Sequence, residues 1–398
     1  MSLLVRVSVV GVRAAYAVLR LLPERPQVTI LSRQSDHVTP DLQAIAQAVA
    51  AADPSLKVVV RCRMLRGGWR NMVIYAGELL QHMWLVARSR VLVVDTYSIV
   101  ASVPDHKKSL TIVQVWHALG AFKRFGLAAS GTSLGPDADL AASMRQHANY
   151  DWVLASGPGC VAPYAEAFGV RQDQVLVAPL PVVDRLLDPV AVAQTRARVW
   201  AAHPHLKSRR VVVLAPTMRR GAESTPMDGL SGRPGRSTAG SGVAAEDPFA
   251  VRALAAALAA RGLHVVAKRH PIDDSTWPEG IDAAEGVPTV DLLTVCEAFV
   301  TDYSSLVYEA ALLGLPVYTY LPPGLPRLAR EDFFLDVERD LPGPLHTDPE
   351  SLAAAIVANV DQSEARREFL ARAVTPPPEG TCAQAIGTLI AGWAQRPG

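Results

Sequence analysis

Two adjacent serines, Ser304 and Ser305, follow an apolar segment and open a helical one in the run EAFVTDYSSLVYEAALLGLPVYTY at residues 297–320. The strand 298–301 ends on Asp302, and the following helix closes at Gly314, where Pro316 blocks continuation. Free backbone N–H groups, the positive end of a helix dipole and two hydroxyls together suit a phosphate or pyrophosphate. The same pair also suits an ordinary helix cap.

Three other strand ends carry groups of related chemistry. In LTIVQVWHALGAFKRFG, residues 110–126, His117 stands just past a strand and precedes Gly120, Lys123, Arg124 and Gly126. A neutral imidazole beside two cations can take the proton of a hydroxyl attacking an anionic centre. A strand-end histidine can equally be structural, and the basic pair merely solvated. In RRVVVLAPTMRR, residues 209–220, a buried strand runs out at Pro216, Thr217 and Arg219, offering a hydroxyl and a fork matched to phosphate. In LHVVAKRHPIDD, residues 263–274, a strand leads into Lys268, Arg269, His270 and Pro271. Singly each signal is weak; four strand ends of one kind point to a shared anion site.

Composition narrows the chemistry. The 398 residues are 49% apolar and 19% charged with a net charge of +1, which suits two or three cored domains and gives no global field for nucleic acid. Cys62, Cys160, Cys296 and Cys382 form no C-x-x-C pair, so neither structural zinc nor a redox motif is expected, and the thiols read as reduced and cytosolic. No Walker loop or G-x-G-x-x-G occurs. Asp137-Ala138-Asp139 follows Gly-Pro rather than a strand and reads as a helix start. Group transfer from an activated phosphate donor is the chemistry left.

Short β-branched runs must position these residues. Strands are expected at 28–31, 57–61, 91–95, 110–116, 151–155 and 175–178, alternating with Ala-rich helical stretches. After a helix near 191–202 and a polar break at 203–208 the pattern restarts, with strands at 210–214, 263–267, 298–301 and 316–320 and a helix at 248–261. Two α/β units with sites at strand carboxyl ends imply a two-lobed enzyme with a cleft between the sheets. The layout is an N-terminal helix at 1–25, an acceptor domain at 26–205, a donor domain at 206–370 and a helical tail at 371–398. Residues 221–247 are rich in Gly, Ser, Pro and Thr and read as a mobile loop, either closing over substrate or a neutral insertion.

No run of about 18 uncharged apolar residues suggests a spanning helix. Near the start, however, Arg6, Arg13 and Arg20 recur every seven residues on one face of an otherwise apolar helix. That suits a helix lying among anionic headgroups, and equally one packed on the protein's own core. Ala15-Tyr16-Ala17 resembles a signal cleavage site, but Arg13 interrupts the apolar segment.

The ordered set Trp116-His117-Ala118 with Lys123 and Gly126, Pro216-Thr217-Met218-Arg219, Arg269-His270-Pro271 and Asp302-Tyr303-Ser304-Ser305, followed by Leu341-Pro342-Gly343-Pro344, resembles the CDP-glycerol glycerophosphotransferases of teichoic-acid and capsule synthesis. The resemblance covers roughly residues 27–370. It implies a GT-B-like α/β fold of two Rossmann-like domains. It also implies transfer of glycerol phosphate, or a related polyol phosphate, from a CDP-polyol to a hydroxyl of a lipid-linked or polymer acceptor, releasing CMP without a metal cofactor. Carried over, His117 is the general base. His270 is a second catalytic histidine, holding the donor pyrophosphate with Arg269, Ser304 and Ser305. Thr217 and Arg219 lie nearby, Glu309 binds the ribose, and Lys123 and Arg124 contact acceptor or phosphate. Such an enzyme works peripherally on the inner face of the cell membrane. Ala118 departs from the family's glycine, and Val182 from its arginine in a G-x-P-R-x-D pattern whose Asp184 remains. Two rivals stand beside this reading: a nucleotide-sugar glycosyltransferase of the same architecture, and a catalytically silent scaffold, which these departures motivate.

Overall fold

The computed structural model describes residues 3–64, 69–130, 138–217, 247, 249–269, 277–325 and 327–396. Apolar runs buried on both faces are what parallel strands under helices require, and two such sheets form. The first holds β1 (Gln27–Ser32), β2 (Lys57–Cys62), β3 (Val91–Val94), β4 (Thr111–Gln114), β5 (Trp152–Ala155) and β6 (Val175–Val177) in the order β2-β1-β3-β4-β5-β6. The second holds β7 (Arg210–Leu214), β8 (Leu263–Ala267), β9 (Cys296–Thr301), β10 (Val317–Tyr320) and β11 (Leu345–His346) in the order β11-β10-β9-β7-β8. Every pairing is parallel. The two-lobed α/β expectation holds, and ten strands fall where the sequence places them. The two-residue β11 gave no periodic signal.

Each sheet starts at a crossover. Thr39 caps the helix Pro40–Ala52 by accepting the Leu42 N–H at 3.4 Å, with Pro40 in the first turn, where its missing N–H costs nothing. The helix Pro189–Ala202, capped by Asp188, carries the chain to the second lobe. One continuous apolar core joins the facing sides of both sheets, including Val113, Val213, Phe299 and Tyr308, while separate cores cover the outer faces.

The chain then returns. The helix Ser363–Ala373 brings Phe369 against Tyr308, and its end passes over the exit of β5, where the Ser156 hydroxyl donates to the Ala373 carbonyl at 2.6 Å. The last helix, Cys382–Ala394, lies on Pro40–Ala52 so tightly that a β-carbon at Gly387 would meet the Ala48 backbone at 2.6 Å. Trp393 stacks on Trp152 at 5.8 Å between ring centres. Asp184 caps this helix by accepting the N–H groups of Cys382 and Ala383 at 2.7 and 3.1 Å.

The N-terminal helix Leu3–Leu19 is held on the first lobe by Tyr16, which is 1% exposed and hydrogen-bonds His106 Nδ1 at 2.9 Å. Arg13 pairs with the Asp105 carboxylate at 2.7 Å, and Arg20 donates to the Asp105 carbonyl. Two of the three periodic arginines therefore turn to protein. The surface left outward carries Val7, Val10 and Val18, extended by Leu21 just past the helix. No helix among the described residues is long and apolar enough to cross a membrane.

Candidate active site

His117 is aimed by the end of β4. Trp116 adopts φ 59°, a left-handed conformation costly for a bulky side chain. Neighbours hold it there: the buried Gln114 amide oxygen accepts the Trp116 N–H at 2.9 Å, and the indole stacks on Phe125 at 4.5 Å. The turn carries His117 toward the end of β3, where its Nδ1 lies 3.0 Å from the Asp95 carbonyl. A carbonyl only accepts, so Nδ1 carries the proton and the neutral ring keeps a lone pair on Nε2, the form a general base needs. The residue lies at the surface, yet surrounding protein desolvates its ring and lowers its pKa below the ordinary imidazole value, against the opposing hydrogen bond to Asp95. Asp95 is itself 3% exposed, accepts from Ser32 at 2.7 Å, and has its pKa pushed up to about 6 by burial.

The segment after His117 crosses to the second lobe. Gly120, at φ 66°, donates its N–H to the Ser156 hydroxyl at 2.8 Å and lies under the Tyr308 ring. Lys123 forms an antiparallel bridge with Phe333, and its Nζ is 5.9 Å from the centre of the Tyr303 ring. Arg124 pairs with Glu166 and lies 4.9 Å over the Phe334 ring. Its charge is already matched within the first lobe.

In the second lobe Asp302, 0% exposed, organises the strand ends. One carboxylate oxygen accepts the Thr217 N–H at 2.7 Å and the Tyr303 N–H at 2.6 Å; the other accepts the Thr217 hydroxyl at 2.8 Å. Thr217 thus ties β7 to β9. Ser304 and Ser305 sit in the turn after β9, and regular helix begins only at Val307. The Ser304 N–H donates to Thr301 Oγ1, and the Ser304 hydroxyl accepts from Leu306. The sequence placed the serines on the helix start itself, but these local bonds form a separate turn first.

Glu309, on the helix Val307–Leu312, has one carboxyl oxygen closed to solvent and without a hydrogen-bond partner among the described residues. Burial first, and then the charge of Asp41 from the first lobe, push its pKa up to about 8. Arg269 lies with its guanidinium 4.1 Å over the Trp277 ring. Lys268 instead donates to the carbonyls of Ala283 and Ala284 at 2.9 and 3.1 Å. Arg219, His270 and residues 221–246 of the Gly/Ser-rich stretch lie outside the described residues.

The geometry joins the His117 turn to the turn at 302–308 across the lobes. It also adds three positioning groups that sequence reasoning passed over: Asp95 through its carbonyl, Gln114, and Asp302 as a buried acceptor. A polar residue inside or ending an otherwise apolar strand was their shared signal.

A family model described as CDP-glycerol:poly(glycerophosphate) glycerophosphotransferase matches residues 14–391. The chain is 26% identical over 385 residues to a teichoic acid ribitol-phosphate primase of Bacillus spizizenii, covering 93% of this chain and 92% of the relative. It is 27% identical over 272 residues to a ribitol-phosphate polymerase of Staphylococcus aureus, covering 66% of this chain and 48% of that longer protein. A solved structure of the wall teichoic acid polymerase TagF superposes with a TM-score of 0.70 at 16% identity, over 96% of this chain and 94% of the solved one. The last is a likeness of fold, and that fold is GT-B-like.

Proposed function

This chain belongs to the CDP-glycerol:poly(glycerophosphate) glycerophosphotransferase family, and from that premise we propose that it transfers a polyol phosphate from a CDP-polyol to a hydroxyl of a lipid-linked acceptor in teichoic-acid-like polymer synthesis. The observation that carries the reading is the meeting of the His117 turn with the 302–308 turn, through Gly120 against Tyr308 and Lys123 against Tyr303.

In this reading His117 Nε2 takes the proton of the acceptor hydroxyl as its oxygen attacks the phosphorus that bears the polyol. The new P–O bond forms as the bond to CMP breaks, and CMP leaves. Charge on the phosphoryl oxygens and on CMP needs fixed donors. Arg269 and the Ser304–Ser305 turn are assigned to the pyrophosphate, with Lys123 on the facing side. His270 and Arg219 keep their proposed places at the donor as sequence neighbours of Arg269 and Thr217. Thr217 acts through Asp302, shaping the strand end. A ribose hydroxyl would satisfy the closed oxygen of Glu309.

The acceptor's lipid places the reaction on the inner face of the cell membrane. The outward Val7, Val10, Val18 and Leu21 surface is assigned to the interfacial layer, with the exposed Arg6 at headgroups.

The test is product mass analysis with CDP-glycerol, CDP-ribitol and UDP-sugars against a lipid-linked primer. CMP release with mass gain of one polyol phosphate is expected. UDP release from a sugar donor, without CMP release from either CDP-polyol, would overturn the assignment in favour of a glycosyltransferase.

A further inference from the structure

At the opposite end of the second sheet from the proposed reaction site, three segments bring metal-binding atoms together. His205 lies in the tight turn Pro204–Ser208, directly after the helix that crosses between the lobes. His264 is the second residue of the edge strand β8, and Asp282 lies alongside that strand, bridged to Val266. One oxygen of Asp282 is 2.7 Å from His205 Nε2 and 2.8 Å from His264 Nε2, and the three ligand atoms all lie within 4.8 Å of one another.

The carboxylate is fixed from behind. Its other oxygen accepts the Ala284 N–H at 2.9 Å, and the Asp282 carbonyl accepts the Ala267 N–H at 2.8 Å. Side-chain exposures of 17% for Asp282, 23% for His264 and 42% for His205 leave one side open to water. Two imidazoles, one carboxylate and an open fourth position suit a tetrahedral ion with nitrogen and oxygen ligands.

We propose that His205, His264 and Asp282 bind a divalent transition-metal ion of the zinc class, fastening the crossing between the lobes to the edge of the second sheet. The metal-free arrangement is a hydrogen-bonded one, with both Nε2–H groups donating to Asp282. Bond lengths of 2.0–2.1 Å to a tetrahedral ion set ligand atoms about 3.3 Å apart, so each hydrogen bond opens by roughly half an ångström. Each Nε2 must then present its lone pair, and its proton moves through solvent to Nδ1. At His264 this meets an obstacle: Arg209 donates to that Nδ1 at 2.8 Å. Once Nδ1 carries the proton, two donors face each other, and the exposed Arg209 must swing away. Arg209 is therefore a competitor of the metal, and removing it frees the site.

The experiment titrates chelator-stripped full-length protein with Zn²⁺ by calorimetry, with Co²⁺ absorption reporting coordination and Tm followed in parallel. One equivalent should bind the wild type and raise its Tm. His205→Ala and Asp282→Asn should weaken binding by more than about ten-fold, and Arg209→Ala should tighten it. Because His205 is exposed, its variant keeps the test sound should Asp282→Asn fold poorly. Absence of saturable binding, affinity unchanged in both His205→Ala and His264→Ala, or weaker binding by Arg209→Ala would each overturn the proposal.

Discussion

A β-carbon placed on Gly120 would lie 2.0 Å from the ring of Tyr308. The two residues follow β4 and β9, in different lobes, and the Tyr308 ring is backed at 4.7 Å by Phe369. The ring has little room to retreat, and Gly120 also needs its φ of 66°. Gly120→Ala should destabilise the protein by more than about 2 kcal/mol and depress turnover as the facing turns separate. Denaturant unfolding measures the first effect; a loss below about 0.5 kcal/mol would show that the ring moves aside.

His117 should behave as a base whose pKa is below that of a free imidazole. Activity falls as pH drops through the pKa, so the acid limb of kcat/KM should lie below about 6.5. His117→Ala should lower kcat by about a thousand-fold with little change in Tm. A limb at or above the ordinary imidazole value would remove the base assignment.

Glu309 makes stability depend on pH in an unusual direction. The folded chain holds this proton up to about pH 8, whereas the unfolded chain releases it near about 4.3. The folded state is thus the more protonated across that window, and stability falls as pH rises through it, by up to about 1.4 kcal/mol per unit. Glu309→Gln should flatten the fall. Urea midpoints at about pH 5 and about pH 8 for both proteins decide the matter, and equal slopes would count against a buried protonated Glu309.

Asp302 accepts three hydrogen bonds with no exposed surface, so Asp302→Ala strands two backbone N–H groups. A loss of about 2–4 kcal/mol is expected. Thr217→Val removes one of the three bonds and should cost about 1–2 kcal/mol while raising KM for the donor more than it lowers kcat. Thermal unfolding with steady-state kinetics separates the two effects, and a Thr217→Val variant indistinguishable from wild type would show that the strand ends are tied elsewhere.

Membrane attachment should follow the valines rather than the arginines. Val10→Asp with Val18→Asp should reduce co-sedimentation with anionic vesicles by at least about five-fold, since each charge enters an apolar layer. Arg13 is already paired with Asp105, so Arg13→Gln should chiefly loosen the helix from its lobe. Equal vesicle binding by the double-Asp variant and the wild type would move the attachment surface elsewhere.

Much of this was legible because the sheets are parallel and doubly covered. Runs such as VLVV in β3 and RVVVL in β7 carry the strand signal locally, and the turns that end them follow directly. The paired role of Arg124 was hidden because Glu166 lies on a different element, 42 residues away. Asp184 stood out only as the retained acid of a G-x-P-R-x-D pattern, whereas its partners are backbone N–H groups 198 and 199 residues later. The periodic arginines of the first helix marked a face correctly, but period alone does not say what that face meets.

The return of the last helix to the first lobe also governs how the chain is made. Residues 27–177 supply all six strands of the first sheet, but Asp184 and the helix Pro40–Ala52 meet their partners only when 382–394 have been synthesised. On the ribosome the first lobe must wait, incomplete, while the second is translated. A chain truncated before Cys382 leaves the Ala48 side of the helix Pro40–Ala52 and the ring of Trp152 without their covers, so early termination should yield aggregates rather than a half-enzyme.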